Sequence, residues 1–271
     1  MPAALRARAA VVRALRGSLH EHGLVDVAVP TRVPSPALEE NIEAIASGDK
    51  WLHTSPEFAL KRVVARGLPR VYTIAPVFRA DEVGRHHATE FTMLEFYLCN
   101  ANYLDLLPIV ERLVAAAAHA VGRDAPTFEC VRVRDLFGGE IPISDVDFYR
   151  YWVERVDPSL TKPTFVMDYP ARQAALAEVR GAIAERVEVY LGGLELGNGF
   201  SELRDGDELR ARFEQSSVAR RALGLVPHPT DEGVIAATRT LPRCAGMAIG
   251  VDRLVMALTG ATEITTVQVV P

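Results

Sequence analysis

Residues 77–97, VFRADEVGRHHATEFTMLEFY, decide the fold of this chain because they describe two strands joined by a basic loop. Residues 71–79 and 90–97 are rich in aromatic and β-branched residues, and the connector carries Gly84, which predicts a β-hairpin. Alternate residues of the second arm share a face, so Glu95 lies between aromatic residues. A carboxylate in such a place is costly unless it meets a cation. The simplest interpretation is an ordinary hairpin in which Glu95 pairs with a core arginine.

A second hairpin is predicted in EVYLGGLELGNGFSEL, residues 188–203. The dipeptide Gly192-Gly193 suits a two-residue turn between two short strands. After the turn, the period of two places Glu195 on one side of the strand and Asn198, Phe200 and Glu202 on the other. Gly197 and Gly199 weaken a purely structural strand but permit the close approach of a ligand. A glycine-rich bulge with surface glutamates is the alternative.

A third segment, GMAIGVDRLVM at residues 246–256, predicts a strand that feeds the start of a helix. The first turn of a helix offers free N–H groups to an anion, although close helix–sheet packing also explains small residues at this spacing. The spacing is not that of a dinucleotide-binding fingerprint, and no P-loop motif occurs in the sequence.

Composition limits the class of protein. The 271 residues favour one large domain, 1–271, since no linker or repeat divides them. The net charge of −5 argues against a broad nucleic-acid surface. The sequence has no apolar run of about 18 residues, so no membrane span is predicted. The start of the chain is typical of an amphipathic helix, with Leu5, Ala9, Val12, Leu15 and Leu19 at helical spacing.

Two local patterns complete this survey. The three cysteines form no C-x-x-C pair, which predicts reduced thiols, a cytoplasmic location and no zinc site. Ser55, Pro56 and Glu57 form an ordinary helix start, with Ser55 as N-cap and Gly67 at the helix end.

These segments together resemble the class II aminoacyl-tRNA synthetases. Arg79 with the loop to His87 resembles their motif 2, GMAIGVDRLVM resembles motif 3, and Pro30 resembles the motif 1 proline at the dimer interface. TSPEFALKR, EFTMLEFY and ELGNGFSEL indicate the lysine-type subgroup, and KPTFVMDYPARQAALAE is similar to the elongation factor P–(R)-β-lysine ligase family. The resemblance covers nearly the whole chain. It implies an α+β class II catalytic fold with a six-stranded antiparallel sheet flanked by helices, a homodimer, and no anticodon-binding OB domain, because Pro30 leaves no room for one.

The resemblance also implies the chemistry of the site, in which ATP activates lysine or (R)-β-lysine and elongation factor P is the acceptor. Arg79 and Arg253 would be catalytic. The residues implied for ATP are Arg79, Asp81, His87, Phe91, Glu195, Leu196, Gly250 and Arg253. Those implied for the amino acid are Ser55, Pro56, Glu57, Glu95, Tyr97, Asn198, Phe200, Glu202 and Ala248. Glu188 and Glu195 would hold Mg²⁺.

The chain also departs from the family pattern. Arg79-Ala80-Asp81 stands where the family has R-N-E, so that Glu82 is a candidate to replace the shortened Asp81. Ala88-Thr89 replaces N-P in the loop, and Ala248 stands where lysyl-tRNA synthetases carry glycine. Two other hypotheses therefore stay open: the same activation with a carrier protein or tRNA as acceptor, or a non-catalytic binding module. The lack of an anticodon domain disfavours tRNA, and the retained phosphate and metal residues disfavour a binding module.

Overall fold

The computed structural model describes residues 2–38 and 42–269. The first half of the chain contains α1 (Pro2–Glu21), β1 (Val25–Asp26), β2 (Arg32–Val33), β3 (Ala46–Ser47), β4 (Lys50–Leu52), α2 (Glu57–Ala65), β5 (Arg70–Phe78), β6 (Glu90–Cys99), α3 (Tyr103–Ala120), β7 (Glu129–Arg132) and α4 (Val133–Leu136). The second half contains α5 (Asp145–Tyr151), which continues into a π-helical turn (Trp152–Val156), then β8 (Thr164–Pro170), β9 (Val179–Arg180), β10 (Ile183–Leu191), β11 (Leu194–Ser201), α6 (Gly206–Ala222), α7 (Glu232–Thr238), β12 (Cys244–Gly250) and α8 (Val251–Thr259). None of the described helices is long and apolar enough to cross a membrane.

The large sheet has the strand order β1-β5-β6-β12-β11-β10-β8-β7, and β9 pairs with β10. Its six central strands, from β5 to β8 in that order, are all antiparallel to their neighbours. The predicted α+β class is confirmed, and these six strands form the predicted antiparallel sheet, but the sheet extends beyond them. β1 adds parallel to β5, and β7 adds parallel to β8, so the sheet is mixed at its edges.

One face of this sheet is covered by α1, α3 and α8, and their apolar residues form the largest core cluster. The helix predicted at the start of the chain is confirmed as α1, which buries Val11, Leu15 and Leu19, while Ala9 is exposed. α3 begins with a capping box, in which the Asn102 side chain accepts from Leu104 N and the Asp105 carboxylate accepts from Asn102 N. Because these helices fill one face, the opposite face is the one that carries the polar residues.

Both predicted hairpins are confirmed. The first joins β5 to β6, and the second joins β10 to β11 through Gly192 and Gly193, whose φ angles are +63° and +74°. A type I′ turn needs positive φ at both central residues, which glycine adopts without steric cost.

A β-bulge after this turn corrects the predicted facing of Glu195. Tyr190 pairs with Glu195 and Val189 pairs with Gly197, so Leu196 is the extra residue. Residues directly opposite one another on antiparallel strands share a face. The bulge therefore returns Glu195 to the face of Asn198, whereas a strict period of two separates them.

Gly197 and Gly199, which the sequence predicts to permit the close approach of a ligand, lie against the neighbouring strand β12. A Cβ on Gly197 would lie 2.2 Å from Ala248 O, and one on Gly199 would lie 2.7 Å from Gly246 O. Both glycines thus permit β12 to approach β11 closely at the centre of the sheet.

We expect Gly197→Ala to lower the free energy of unfolding by about 3 kcal/mol, the upper part of the range for overpacking a filled interior. The added Cβ meets backbone atoms, which cannot rotate away. Gly17→Ala is the matched control, since nothing lies within 4 Å of a Cβ there and alanine favours a helix interior. Urea denaturation measures both, and an unchanged midpoint for Gly197→Ala would contradict the packing described.

Candidate active site

The polar face of the sheet presents residues in cross-strand rows. In one row, Glu95, Ala248, Asn198 and Glu188 lie opposite one another on β6, β12, β11 and β10. In the next row, the corresponding residues are Tyr97, Gly246, Phe200 and Arg186. The sheet register therefore brings three separately predicted sequence segments onto one surface.

This surface is the floor of a cavity of about 1560 Å³. Most of the residues that the sequence singles out line it, namely Ser55, Glu57, Arg79, His87, Phe91, Glu95, Tyr97, Glu195, Leu196, Asn198, Phe200, Glu202, Ala248, Gly250 and Arg253. Three of the candidate residues, Pro56, Asp81 and Glu188, are not among its lining residues.

The start of α2 differs by one position from the helix start expected. Pro56, not Ser55, is the N-cap residue, and Glu57 begins the helix. The Ser55 hydroxyl still accepts a hydrogen bond from Glu57 N at 3.1 Å, and it donates to Glu95 Oε2 at 2.7 Å. Ser55 thus links the first turn of α2 to the sheet.

A buried lysine lies among the carboxylates at one end of the cavity. Lys61 Nζ is 2.6 Å from Glu57 Oε1 and 2.7 Å from Glu202 Oε2, and only 2% of Lys61 is exposed. Burial lowers the pKa of Lys61, but Glu202 and Glu57 more than offset this and raise it above its ordinary value. The ammonium is therefore charged. Sequence reasoning missed Lys61, although its spacing of four residues from Glu57 on a predicted helix was the available signal.

Glu95 and Glu202 lie in the same buried cluster. Glu95 accepts hydrogen bonds from two hydroxyls, Ser55 Oγ at 2.7 Å and Tyr97 Oη at 2.8 Å. Burial is the largest effect on both carboxyls, and it raises the pKa of Glu95 and the pKa of Glu202 to about 8. Glu57 adds repulsion at both carboxyls, whereas Lys61 opposes the rise. The cluster therefore favours either bound protons or a bound cation.

Gly246 is required beneath this cluster. A Cβ there would lie 2.5 Å from both Glu202 Oε1 and Tyr97 Cε1. Glu202 Oε1 is buried and has no hydrogen-bond partner among the described residues. A buried polar atom of this kind needs a ligand donor, water or proton.

Arg186 organises the middle of the cavity and was also missed. Its guanidinium donates to Asn198 Oδ1 at 3.0 Å and to Glu188 Oε1 at 2.6 Å, and it lies 4.5 Å from the centroid of the Tyr169 ring. Because the Asn198 oxygen accepts from Arg186, its amide N–H groups are left to donate toward the cavity.

The two candidate metal ligands differ in availability. Glu188 is buried and accepts hydrogen bonds from Arg186 and Tyr190. Glu195 lines the cavity, and burial together with the charge of Glu188 raises its pKa to about 7. Mg²⁺ in nucleotide sites uses one or two carboxylates plus phosphate oxygens, so Glu195 fits such an ion. A bound cation would also reduce the repulsion between Glu195 and Glu188, which favours its binding.

The other end of the cavity is basic. Arg79 Nη1 donates to Glu82 Oε1 at 2.8 Å, and its guanidinium lies 5.2 Å from the centroid of the Phe91 ring. Asp81 is exposed, whereas Glu82 lines the cavity. Glu82 therefore faces the cavity, and its replacement of Asp81 stays a prediction.

Arg253 at the start of α8 holds the loop between β5 and β6. It donates to His86 O at 3.2 Å and to Glu195 O at 3.0 Å, and its Nη2 lies 2.5 Å from His87 Nε2. Burial and the charge of Arg253 lower the pKa of His87. The predicted strand and helix at residues 246–256 are confirmed, and together they bring Arg253 to the loop that carries His87.

Comparison with known proteins agrees with this geometry. The family described as tRNA synthetases class II (D, K and N) matches residues 1–271. This chain belongs to that class II synthetase family. The match extends to both ends of the cavity, since it contains the carboxylate cluster and the arginines alike.

Several curated relatives of this class II chain are named elongation factor P–(R)-β-lysine ligase. One from Pectobacterium atrosepticum is 33% identical over 92% of this chain and 89% of its own length. One from Yersinia enterocolitica is 32% identical over 97% of this chain and 93% of its own length. A relative from Aquifex aeolicus, named as a homolog of that ligase, is 32% identical over 93% of this chain and 94% of its own length.

The raised pKa values predict how the stability of this class II domain depends on pH without ligand. The carboxyls of Glu95 and Glu202 ionise near 4.5 in an unfolded chain and at about 8 in the folded protein. The folded state therefore holds more protons between these values, and the free energy of unfolding falls as the pH rises from about 5 to about 8.

Each such carboxyl contributes up to about 1.4 kcal/mol per pH unit, so Glu95→Gln should make this fall shallower by about 1 kcal/mol per pH unit. Denaturation at a series of pH values measures the slope. Glu90→Gln, at an exposed position on the same strand, is the control. Equal slopes in wild type and Glu95→Gln would contradict a protonated, buried Glu95.

Proposed function

We propose that this chain is an ATP-dependent ligase that activates a lysine-type diamino acid as its adenylate and transfers it to a lysine side chain of elongation factor P. One observation carries the proposal. A single cavity has a buried carboxylate cluster at one end and Arg79, His87 and Arg253 at the other. The first end suits ammonium groups and the second suits phosphates. The names of the relatives supply the acceptor.

The first step would be attack of the amino acid carboxylate on the α-phosphorus of ATP, with pyrophosphate leaving. Arg79 would neutralise charge at the phosphate, and the Asn198 amide would hold the carboxylate through the N–H groups that Arg186 leaves to the cavity. Phe91 and Arg253 would enclose the adenine, and His87 would meet the γ-phosphate. Catalysis would then be by positioning and electrostatic stabilisation.

Glu195, with Glu188 behind it, would hold Mg²⁺, which would neutralise phosphate charge when bound. In the second step the acceptor amine would attack the adenylate carbonyl carbon, lose a proton and release AMP. A translation factor as acceptor fits a cytoplasmic location.

Ala248 supports a preference for (R)-β-lysine over α-lysine. Its methyl group lies in the row between Glu95 and Asn198, which we propose bind an ammonium and the carboxylate of the same ligand. A methyl group there shortens the space available beside the α-carbon. Discrimination from one methyl group is about 1–3 kcal/mol.

Dimerisation is also proposed, through the region of Pro30. Pro30 is exposed, and the adjacent sheet edge is the two-residue strand β1, where Val25 is 45% exposed. An open edge with exposed apolar residues suits pairing with a second copy. Sedimentation should show a dimer at micromolar concentration, and a monomer alone at that concentration would contradict the proposal.

The test of function is the mass of elongation factor P from the same organism after incubation with this protein, ATP, Mg²⁺ and (R)-β-lysine. We expect a gain of one β-lysyl group. Arg79→Ala should slow the reaction by about a hundredfold or more, the usual loss when a group that stabilises transition-state charge is removed. Arg66→Ala, at the C-cap of α2 and outside the cavity lining, is the control.

Two results would overturn parts of this proposal. Pyrophosphate release without modification of elongation factor P would redirect the acceptor to a carrier protein or tRNA. Full activity in Arg79→Ala would contradict the assigned phosphate site.

A further inference from the structure

The carboxylate cluster holds its own counter-ion, and the number of charges there limits what it can bind. Glu57, Glu95 and Glu202 supply three carboxylates, and Lys61 supplies one ammonium that contacts two of them. With all four groups ionised, the cluster has a net charge of −2. Buried charges of this kind are stable only when they are compensated.

We propose that Lys61 is a specificity-determining residue. Its ammonium is fixed between Glu57 and Glu202, so the three ionised carboxylates still lack two positive charges. The cluster therefore selects amino acids with two ammonium groups. The inference rests on the proposed function and deepens it. A diamino acid supplies the two positive charges that let Glu95 and Glu202 release their protons, whereas an amino acid with one ammonium leaves one buried carboxyl protonated or uncompensated.

The distribution of contacts shows which carboxylate oxygens remain for a ligand. Lys61 takes Glu57 Oε1 and Glu202 Oε2, while Glu95 receives only the neutral Ser55 and Tyr97 hydroxyls. Glu202 Oε1 is buried and has no hydrogen-bond partner among the residues described. Glu95 and the second oxygens of Glu57 and Glu202 are therefore the acceptors offered to the ligand.

Lys61 is fixed in this place by its surroundings. Its side chain is 3% exposed, lies one helical turn from Glu57 and places Nζ 5.6 Å from the centroid of the Phe200 ring. The titratable groups that surround it come from α2, β6, the end of β11 and β12, and they are Glu57, Glu95, Tyr97, Glu202 and Cys244. The charge of Lys61 lowers the pKa of both Glu95 and Glu202, so it also keeps them closer to ionisation at neutral pH.

The experiment is titration calorimetry of the whole protein with α-lysine, (R)-β-lysine and norleucine, which has the carbon chain of lysine without its side-chain ammonium. Wild type should bind both diamino acids and not norleucine. Lys61→Met should raise the Kd for the diamino acids by about tenfold or more, as expected when one partner of a buried charge pair is removed. Lys61→Arg keeps the charge and should bind more tightly than Lys61→Met.

A double variant distinguishes charge from structure. Lys61→Met with Glu202→Gln removes one positive and one negative charge, which restores the net charge of −2 through Glu57 and Glu95. It should therefore bind the diamino acids more tightly than Lys61→Met alone. If Lys61 only supports the packing, the double variant binds no better than the single one.

The pH profile gives a second readout that loss of packing would not move. Binding of two ammonium groups releases protons from the carboxyls, so the wild-type Kd should fall as the pH rises toward about 8. Without Lys61 these carboxyls ionise at higher pH, and this fall should move to higher pH. A Kd raised equally at every pH would overturn the inference.

The outcome also separates this inference from the proposed function. If wild type modifies elongation factor P but Lys61→Met retains the wild-type Kd and pH profile, only the role of Lys61 is overturned. If wild type binds diamino acids but catalyses nothing, the charge selection stands and the ligase does not. Tight binding of norleucine by wild type overturns the charge selection directly.

Discussion

The compensation of buried negative charge is the constraint on which the cavity depends. Three carboxylates converge where α2 meets the sheet, and each is at most 8% exposed. Lys61 neutralises part of this charge, and the hydroxyls of Ser55 and Tyr97 donate hydrogen bonds to Glu95. The pKa values of Glu95 and Glu202 are still raised, so these contacts do not compensate the negative charge fully. A core built only for stability would be better served by apolar residues in these places. The cluster therefore supports the proposal of a binding site for a cationic ligand.

The same principle extends along the polar face of the sheet. Arg186 donates to the Asn198 amide oxygen and to Glu188, while Arg253 holds the basic loop against β11. The apolar helices lie on the opposite face. The sheet thus has one face packed against helices and one polar face that lines the cavity. The register of its strands determines which polar side chains are neighbours.

Much of this arrangement was predictable from local patterns. The two hairpins, the Gly192-Gly193 turn and the strand that feeds α8 follow from strand periodicity and turn chemistry. The parallel edge strands β1 and β7 were not predicted, because short strands leave little periodicity. The facing of Glu195 depends on a bulge that inserts one residue, which a strict period of two cannot reveal. The approach of β12 to Gly197 and Gly199 was not predicted, because sequence alone does not show which backbone lies against a glycine. Lys61 was missed because the sequence does not show that its ammonium is buried between Glu57 and the distant Glu202.

The most direct measurement is amino-acid-dependent ATP–pyrophosphate exchange by the wild-type protein with (R)-β-lysine, α-lysine and norleucine. Exchange with the diamino acids and none with norleucine is the predicted result, since it requires the phosphate end and the carboxylate end of the cavity to act on one substrate. Exchange driven equally well by norleucine, or no exchange with any of the three, would contradict a cavity built to activate a diamino acid.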